Sequence, residues 1–461
     1  MANTPQQHQV LILGGGFGGL VAAQTLKRAN AQIKLIDRRN FHLFQPLLYQ
    51  VATGSLSPGE IATPLRSVLR RQKNIEVLLG EAADIDPVAK KVTLRDGDVF
   101  PYDSLIVGTG SKPSYYGNEH WREDAPSLKT IEEATAIRHK ILYSFERAER
   151  SATEAEARAW LTFVIVGAGA TGLELAGALA EIAQETLRHD FRHIRPEEAH
   201  IILLEGGPRV LSAFPEDLSA KAEQLVARLG VDIRKDTFVT DINEHGLTFQ
   251  QGGKTGQLAA KTILWSGGVN ATSFGQKLAQ RTSVETDKTG KIKVLPDLTV
   301  ANFPDIFVVG DLAYVLNPDG SQVPGVAQPA IQEGAYAAKV ILARLKNEAR
   351  PKPFHYFNKG DMAVIGRAAA VANIFGIHVS GLLAWMSWLL IHLMYLVQFQ
   401  SRVQVFIQWG FEYLTFNRGA RIITGPTEAD LQADSKPRTG GASSALSSSP
   451  KEDLASRAKS A

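Results

Sequence analysis

Short apolar runs alternate with Ala/Leu-rich stretches along most of the chain. Val10–Leu13 predicts a strand, Leu20–Arg28 a helix and Ile33–Ile36 a second strand, together one strand–helix–strand unit. The pattern returns at Phe163–Val166, continues as an Ala/Leu-rich helix to about Arg188 and closes with a strand at Ile201–Leu204. Between the two units Thr130–Ala159, rich in Ala, Glu and Arg, predicts a surface helical connection. Pro304–Val309 is a further strand, ending in Gly310-Asp311, so the first half of the fold is expected to resume near residue 295. From Ala368 to Ser401 there is no Asp, Glu, Lys or Arg, and Leu382–Val397 is an apolar block. Beyond Pro426 the chain is rich in Ser, Gly and Ala with balanced charge, a composition that predicts disorder for 427–461.

A chain of 461 residues is long enough for two or three domains with sizeable cores. It contains no cysteine, which excludes disulfides, thiolate zinc sites, Fe–S clusters and every thiol-based redox mechanism. Redox chemistry must then ride on a bound organic cofactor or a non-thiolate metal. The net charge of +3 is concentrated in residues 351–426, which carry six basic residues against two acidic ones, and no basic face points to nucleic acid. The first apolar run is too short for a secretory segment and no basic residues precede it, so folding in the cytosol is expected.

Each strand–helix unit turns through a glycine loop. Gly14, Gly16 and Gly19 fit G-x-G-x-x-G: the first glycine permits the tight turn, the second lets a pyrophosphate approach the backbone, and the third allows close helix–strand packing. Asp37 lies 23 residues beyond Gly14 at the end of the next strand, where a carboxylate accepts ribose hydroxyls. Gly167, Gly169 and Gly172 repeat the motif, with Glu205 as the terminal acid. The separation of 38 reflects a polar insertion, His189–Ala199. Glu205 would repel a 2′-phosphate and so favours NADH over NADPH, with Arg209 as a counter-signal. Two dinucleotide sites follow, but spacing does not say which loop holds which nucleotide.

The order of these motifs resembles two-dinucleotide flavoprotein reductases. Leu105-Ile106-Val107-Gly108-Thr109-Gly110 is similar to their strand and small-residue turn, and Gly310-Asp311 to their flavin-ribityl motif. Without cysteine, the disulfide reductases and sulfide:quinone oxidoreductases of that superfamily are excluded. Three more segments, Phe41–Gly54, Trp265-Ser266-Gly267-Gly268-Val269 and Ala327-Gln328-Pro329-Ala330-Ile331-Gln332-Glu333-Gly334, resemble type II NADH:quinone oxidoreductase, the single-subunit, non-proton-pumping respiratory NADH dehydrogenase. The resemblance implies an α/β fold with two Rossmann-like domains, like that of glutathione reductase, plus C-terminal amphipathic membrane-anchoring helices. It implies FAD on Gly14, Gly16, Phe17, Gly18, Gly19, Asp37, Arg38, Ala83, Thr109, Gly110, Asp311, Ala327 and Gln328. NADH falls on Gly167, Gly169, Thr171, Gly172, Glu205, Gly267 and Gly268, and a quinone on the Gln328/Gln332 motif. The domains expected are 6–120 and 295–350 for FAD, 121–160 as the helical connection, 161–294 for NADH, 351–426 as the membrane-associating region, and the 427–461 tail.

Gln328 and Gln332 are four apart and share a helix face. A helix starting near Pro329 would direct its N-terminal dipole at the flavin, and two amides would meet a quinone's oxygens. The alternative is that both are surface or capping glutamines. Glu174, placed on the first turn of the second loop's helix, either complements that helix dipole or, as the resemblance implies, reaches the flavin/quinone region and takes part in proton delivery. His42 and Tyr49 are equally readable as pocket lining or core. His355, His378 and His392 lack metal spacing and no metal site is expected.

Residues 381–399 approach spanning length, but Ser387, His392 and Gln398 interrupt them and the next segment is amphipathic, with Gln404, Gln408 and Glu412 in one stripe. Helices lying in the bilayer interface over 381–421 are favoured, with Trp385, Trp388 and Trp409 and with Arg402, Arg418 and Arg421 for anionic headgroups. A spanning helix and a homodimer interface are the alternatives. The expected function is FAD-dependent transfer of hydride from NADH and of two electrons to a membrane quinone at the cytoplasmic membrane face, without proton pumping. Its rivals are a soluble NAD(P)H reductase for a ferredoxin-like carrier and a flavin-switched interaction protein.

Overall fold

The computed structural model describes residues 7–424; the tail expected at 427–461 lies outside the described residues. His8–Leu13, Ala31–Asp37, Ile75–Leu79, Ser104–Val107, Phe303–Val308 and Thr299–Val300 form one six-stranded sheet. The strand Phe303–Val308 pairs in parallel with Ser104–Val107, which itself pairs with His8–Leu13, so strands some 300 residues apart in sequence share a sheet. The sheet is covered on both faces. That explains why Val10–Leu13 and Leu105–Val107 are continuously buried and read as apolar runs, not as alternations. A second sheet, all parallel, has the order Asp232–Arg234, His200–Leu204, Thr162–Val166, Thr262–Trp265.

Several boundaries differ from the sequence pattern. The first glycine-loop helix begins at Phe17, not Leu20, because Gly18 and Gly19 are part of its first turn. The second runs Ala170–Glu181 and then widens into a π turn, Ile182–Thr186. The connection forms two helices, Ile131–Glu149 and Glu154–Trp160. It is not simply a surface element: Ile137, Ile141, Phe145 and Ala148 are buried, and Ser144 bonds Thr262 of the second sheet at 2.6 Å.

The segment after residue 351 contains an element that the sequence reading lacked. Gly360–Gly366, Ala369–Ile374 and Ile377–Ser380 form a three-stranded antiparallel sheet. Its first strand lies directly on the second glycine-loop helix, where a Cβ on Gly177 would stand 1.6 Å from the Ile365 carbonyl oxygen. Two helices follow, Leu382–Tyr395 and Phe399–Thr415. Among the described residues no helix is long and apolar enough to cross a membrane. The 14-residue first helix reaches only about 21 Å at 1.5 Å per residue, against a hydrocarbon core of about 30 Å.

The amphipathicity of this pair is inverted relative to an ordinary surface helix. Of the expected polar stripe Gln408 and Glu412 face the protein and Gln404 is exposed, whereas Leu383 (69 % exposed), Phe399 (77 %), Phe406, Ile407, Phe411 and Leu414 (79 %) face outward. Two of the three tryptophans and one arginine are engaged within the protein. Trp388 is buried and stacks on His392, Trp409 donates to Gln50 Oε1, and Arg418 turns inward to Glu181 at 2.9 Å. Arg421 pairs with Asp190, and Arg402 Nε donates to the Leu396 carbonyl.

Candidate active site

Gly14 and Gly167 take the left-handed backbone (φ +101° and +98°) that the strand-to-helix turn requires. Cβ atoms on Gly19 and Gly172 would each stand 1.9 Å from the carbonyl oxygen of the loop's own first glycine, whereas Gly16 and Gly169 face open space. The two terminal acids act alike. Asp37 accepts from the Gly15 and Arg39 amides at 2.5 and 2.7 Å, and Glu205 accepts from the Ala168 and Gly207 amides at 2.7 and 2.8 Å. Each carboxylate thus fixes its glycine loop while retaining acceptor capacity for a ribose. Burial raises the Asp37 pKa, partly offset by those amides. Arg209 is spent on the Phe214 and Ser212 carbonyls, which removes it as a ready phosphate partner.

A cavity of about 920 Å³ opens at the first loop. Its wall brings together Gly14, Gly16, Phe17, Gly18, Asp37, Arg38, Thr109, Gly110, Thr171, Glu174, Asp311, Ala327 and Gln328. Gly19, Gly167, Gly169, Gly172, Glu205, Gly267, Gly268, Ala83 and Gln332 are not in that wall. Ala82 lines the cavity where Ala83 was expected: the strand Ala82–Asp86 has a register irregularity there, and the Ala83 side chain is exposed. Gly167 instead abuts Ser266 and Gly267, over which Tyr116 lies with its hydroxyl donating to the Gly267 carbonyl.

The Gln328 helix begins at Ala327, two residues before Pro329, since a proline within the first turn forfeits no helical hydrogen bond. Its two glutamines part ways. Gln332 is tied on both sides to the Phe357 backbone, donating to its carbonyl and accepting from its amide at 2.9 Å each. Gln328 donates to the Gly360 carbonyl at 3.2 Å and leaves a buried Oε1 without a partner at the cavity wall. Asp311 accepts from Ser111 Oγ at 2.7 Å and Lys129 Nζ at 3.0 Å. Burial pushes its pKa up, but Lys129 and Ser111 outweigh this and hold it below the ordinary carboxylate value.

Glu174 is the fifth residue of its helix, beyond the first turn, so the helix-dipole reading loses its geometric basis. It lines both the large cavity and a smaller one behind it, of mixed polar and apolar lining. Burial raises its pKa well above the usual value despite a backbone hydrogen bond from Val364. Sequence reasoning missed Lys129, Phe44, Lys359 and Asp361 as wall residues, and had assigned His392 no part in it. His392 is half-buried, donates from Nδ1 to the Trp388 carbonyl at 2.8 Å, and desolvation lowers its pKa to about 4. No local spacing flags Lys359, Asp361 and His392, because the docking of the 360–380 sheet and the outer helix brings them to the wall, and Phe44 and Lys129 reach it from separate segments 85 residues apart. His42 bonds the Gly15 carbonyl and Tyr49 lines the smaller cavity; His355 and His378 lie elsewhere, bonded to Tyr356 and Asp217.

The open second glycines, the clamped acids, the Lys129–Asp311 pair and the unpartnered Gln328 oxygen fit a dinucleotide lying along the large cavity. Together, the two parallel-sheet glycine loops define a reductase with two dinucleotide sites. The model of the pyridine nucleotide-disulphide oxidoreductase family matches residues 8–334. A type II NADH:quinone oxidoreductase of Mycobacterium tuberculosis, Ndh, is 45% identical over 429 residues, 92% of each chain. Among solved structures, NDH2 of Plasmodium falciparum matches with a TM-score of 0.83 in complex with RYL-552 and 0.81 in complex with NADH. Both share 20% identity and cover 91% of this chain and 100% of theirs. The chain belongs to the pyridine nucleotide-disulphide oxidoreductase family and, within it, to the type II NADH:quinone oxidoreductases.

Proposed function

We propose that this protein passes a hydride from NADH to FAD and two electrons on to a membrane quinone. The observation that carries the reading is one continuous cavity. It runs from the Asp37 ribose clamp and the Gly14 loop to Gln328, Lys359 and the outer helix residues Ile391, His392 and Tyr395. A nucleotide cradle and an apolar, outward-facing helix therefore open on the same space, and the relatives' names supply the substrates that such a space accommodates.

FAD held by the Gly14 loop, Asp37 and Asp311 would supply the redox chemistry between hydride donor and quinone. The chain's own residues do the rest. Gly14, Gly16 and the helix N-terminus receive the pyrophosphate, Asp37 the ribose, and Asp311 with Lys129 the sugar chain nearer the ring. Glu205 with the Gly167 loop holds NADH and repels a 2′-phosphate. Gln328 offers its amide to a quinone oxygen, and Glu174, whose protonated form burial favours, gives up a proton at its carboxyl oxygen. The outward apolar faces of 382–395 and 399–415 lie in the bilayer surface at the cytoplasmic side, with no proton pumped.

The test is anaerobic flavin absorbance of the purified protein in detergent, first with NADH or NADPH and then with a short-chain quinone. Bleaching by NADH and prompt reoxidation by quinone is the expected result. Bleaching with no reoxidation would transfer the acceptor role to something other than a quinone.

A further inference from the structure

Glu174 has a second face. Behind it lies a cavity of about 110 Å³, large enough for several water molecules, lined by Tyr49, Gln50, Ser55, Glu181, Glu412 and Arg418 among others. Most of its polar groups are already organised: Arg418 Nη2 donates to Glu181 at 2.9 Å, Gln50 Nε2 to the Tyr49 hydroxyl at 2.9 Å, Trp409 Nε1 to Gln50 at 2.8 Å, and Gln408 to Glu412 at 3.3 Å. At its outer end the Arg367 guanidinium is sandwiched at 4.1 and 4.0 Å between Tyr413 and Phe416, both partly exposed to solvent. Polar side chains thus lie along a path from the Thr186–Phe416 contact, beyond the last turn of the C-terminal helix, to the back of Glu174.

The reaction needs such a path. NADH, a quinone and one proton give NAD⁺ and a quinol: the hydride carries two electrons and one hydrogen, so one further proton must come from water in every turnover. On the reading above, the front of the large cavity opens toward lipid, where there is no water to supply it. We infer that the cavity behind Glu174 is the proton inlet of the enzyme, with Glu412 as its outer carboxyl and Glu174 as its inner one. The inference rests on the proposed quinone reaction and on Glu174 as its proton donor.

Chemistry along the path is consistent. Glu412 faces Ser55 and Tyr49 from the 45–61 segment, Glu181 and Glu174 from the glycine-loop helix, Arg367 from the 360–380 sheet, and Arg418 beyond its own helix. Burial raises its pKa to about 7, against the lowering by Arg418, Gln408 and Ser55, so it exchanges protons near neutral pH. Arg418, locked to Glu181, gives the route fixed positive charge without competing for the proton.

The holoenzyme, flavin reduced anaerobically by NADH, is mixed with a short-chain quinone across pH 5.5–9 in H₂O and D₂O. Glu412→Gln and Ala178→Leu are compared with Glu174→Gln; the second variant fills the cavity from its wall without removing a titratable group. Both are expected to slow reoxidation by at least about tenfold above neutral pH with a larger solvent isotope effect, and imidazole is expected to rescue Glu412→Gln. Ferricyanide, which takes electrons without protons, should be reduced at the parental rate by both. If Glu174→Gln slows reoxidation while Glu412→Gln and Ala178→Leu keep parental rates and isotope effects, the inlet is wrong and the role of Glu174 survives. If Glu174→Gln is also silent, the reading beneath it is wrong as well.

Discussion

Gly177→Ala isolates the contact that places the quinone end of the cavity. The added Cβ would stand 1.6 Å from the Ile365 carbonyl oxygen and 2.7 Å from its carbon, so helix and strand must part by about 1.4 Å to reach the closest separation real Cβ atoms show. The helix is the less able to move, because Gly172 packs its first turn against Gly167 with no room for a Cβ. The Gly360–Gly366 strand should move instead, taking Gly360, Asp361 and Met362 of the cavity wall and the Val364 bond to Glu174 with it. Overpacking against backbone costs about 1–3 kcal/mol. With an unfolding entropy of about 0.9 kcal/mol/K for a chain of this length, Tm should fall by about 1–3 °C. A displacement of this size at a reacting group costs up to about 100-fold in rate. Stopped-flow absorbance should therefore show quinone reoxidation slowed by about tenfold or more while reduction by NADH stays within about twofold. Equal slowing of both half-reactions, or an unchanged quinone step with unchanged Tm, would refute the argument that this strand sets the quinone end alone.

Glu174→Gln should lower quinone turnover by about 100-fold and remove the alkaline limb of its pH profile, with NADH-dependent ferricyanide reduction retained. Glu333 is 2 % exposed, accepts from the Gly310 amide at 2.6 Å, and burial raises its pKa to about 8. Its stabilising proton is fully present below the unfolded value of 4.5 and lost as pH rises through about 8, so the wild type should lose up to about 5 kcal/mol across that window relative to Glu333→Gln. Scanning calorimetry at pH 5 and pH 8.5 reads this as a difference in Tm that moves in favour of the variant; a pH-independent difference would refute it. Glu205→Ser should raise the NADPH-to-NADH ratio of kcat/KM by at least about tenfold and also raise KM for NADH, since two loop amides lose their acceptor; steady-state kinetics decide it. Phe406→Glu with Ile407→Glu should weaken flotation with anionic liposomes by about tenfold or more per site, leaving detergent-phase turnover intact; a change in sedimentation mass without a change in flotation would instead make this face a dimer interface.

Local sequence was sufficient wherever a function depends on neighbours in the chain. The glycine loops, their strands and the acids Asp37 and Glu205 were legible because turn geometry, strand burial and helix N-termini are set within some forty residues. The apolar block at 382–397 was equally plain, since its length and lack of charge are local properties. What the chain alone left open was decided by long-range packing. Gln328 and Gln332 share a helix face, yet the Phe357 backbone takes one and leaves the other at the cavity. Glu174 acquires its raised pKa from burial in the assembled fold, against the lowering hydrogen bond from Val364 nearly two hundred residues away. Arg418, exposed by every compositional expectation, is 7 % exposed because a loop returns it to Glu181. Sequence fixes what each short segment can form and which chemistry it carries; which of those groups meet, and which are dry enough to hold a proton, follows from burial and contacts that only the assembled sheets and helices create.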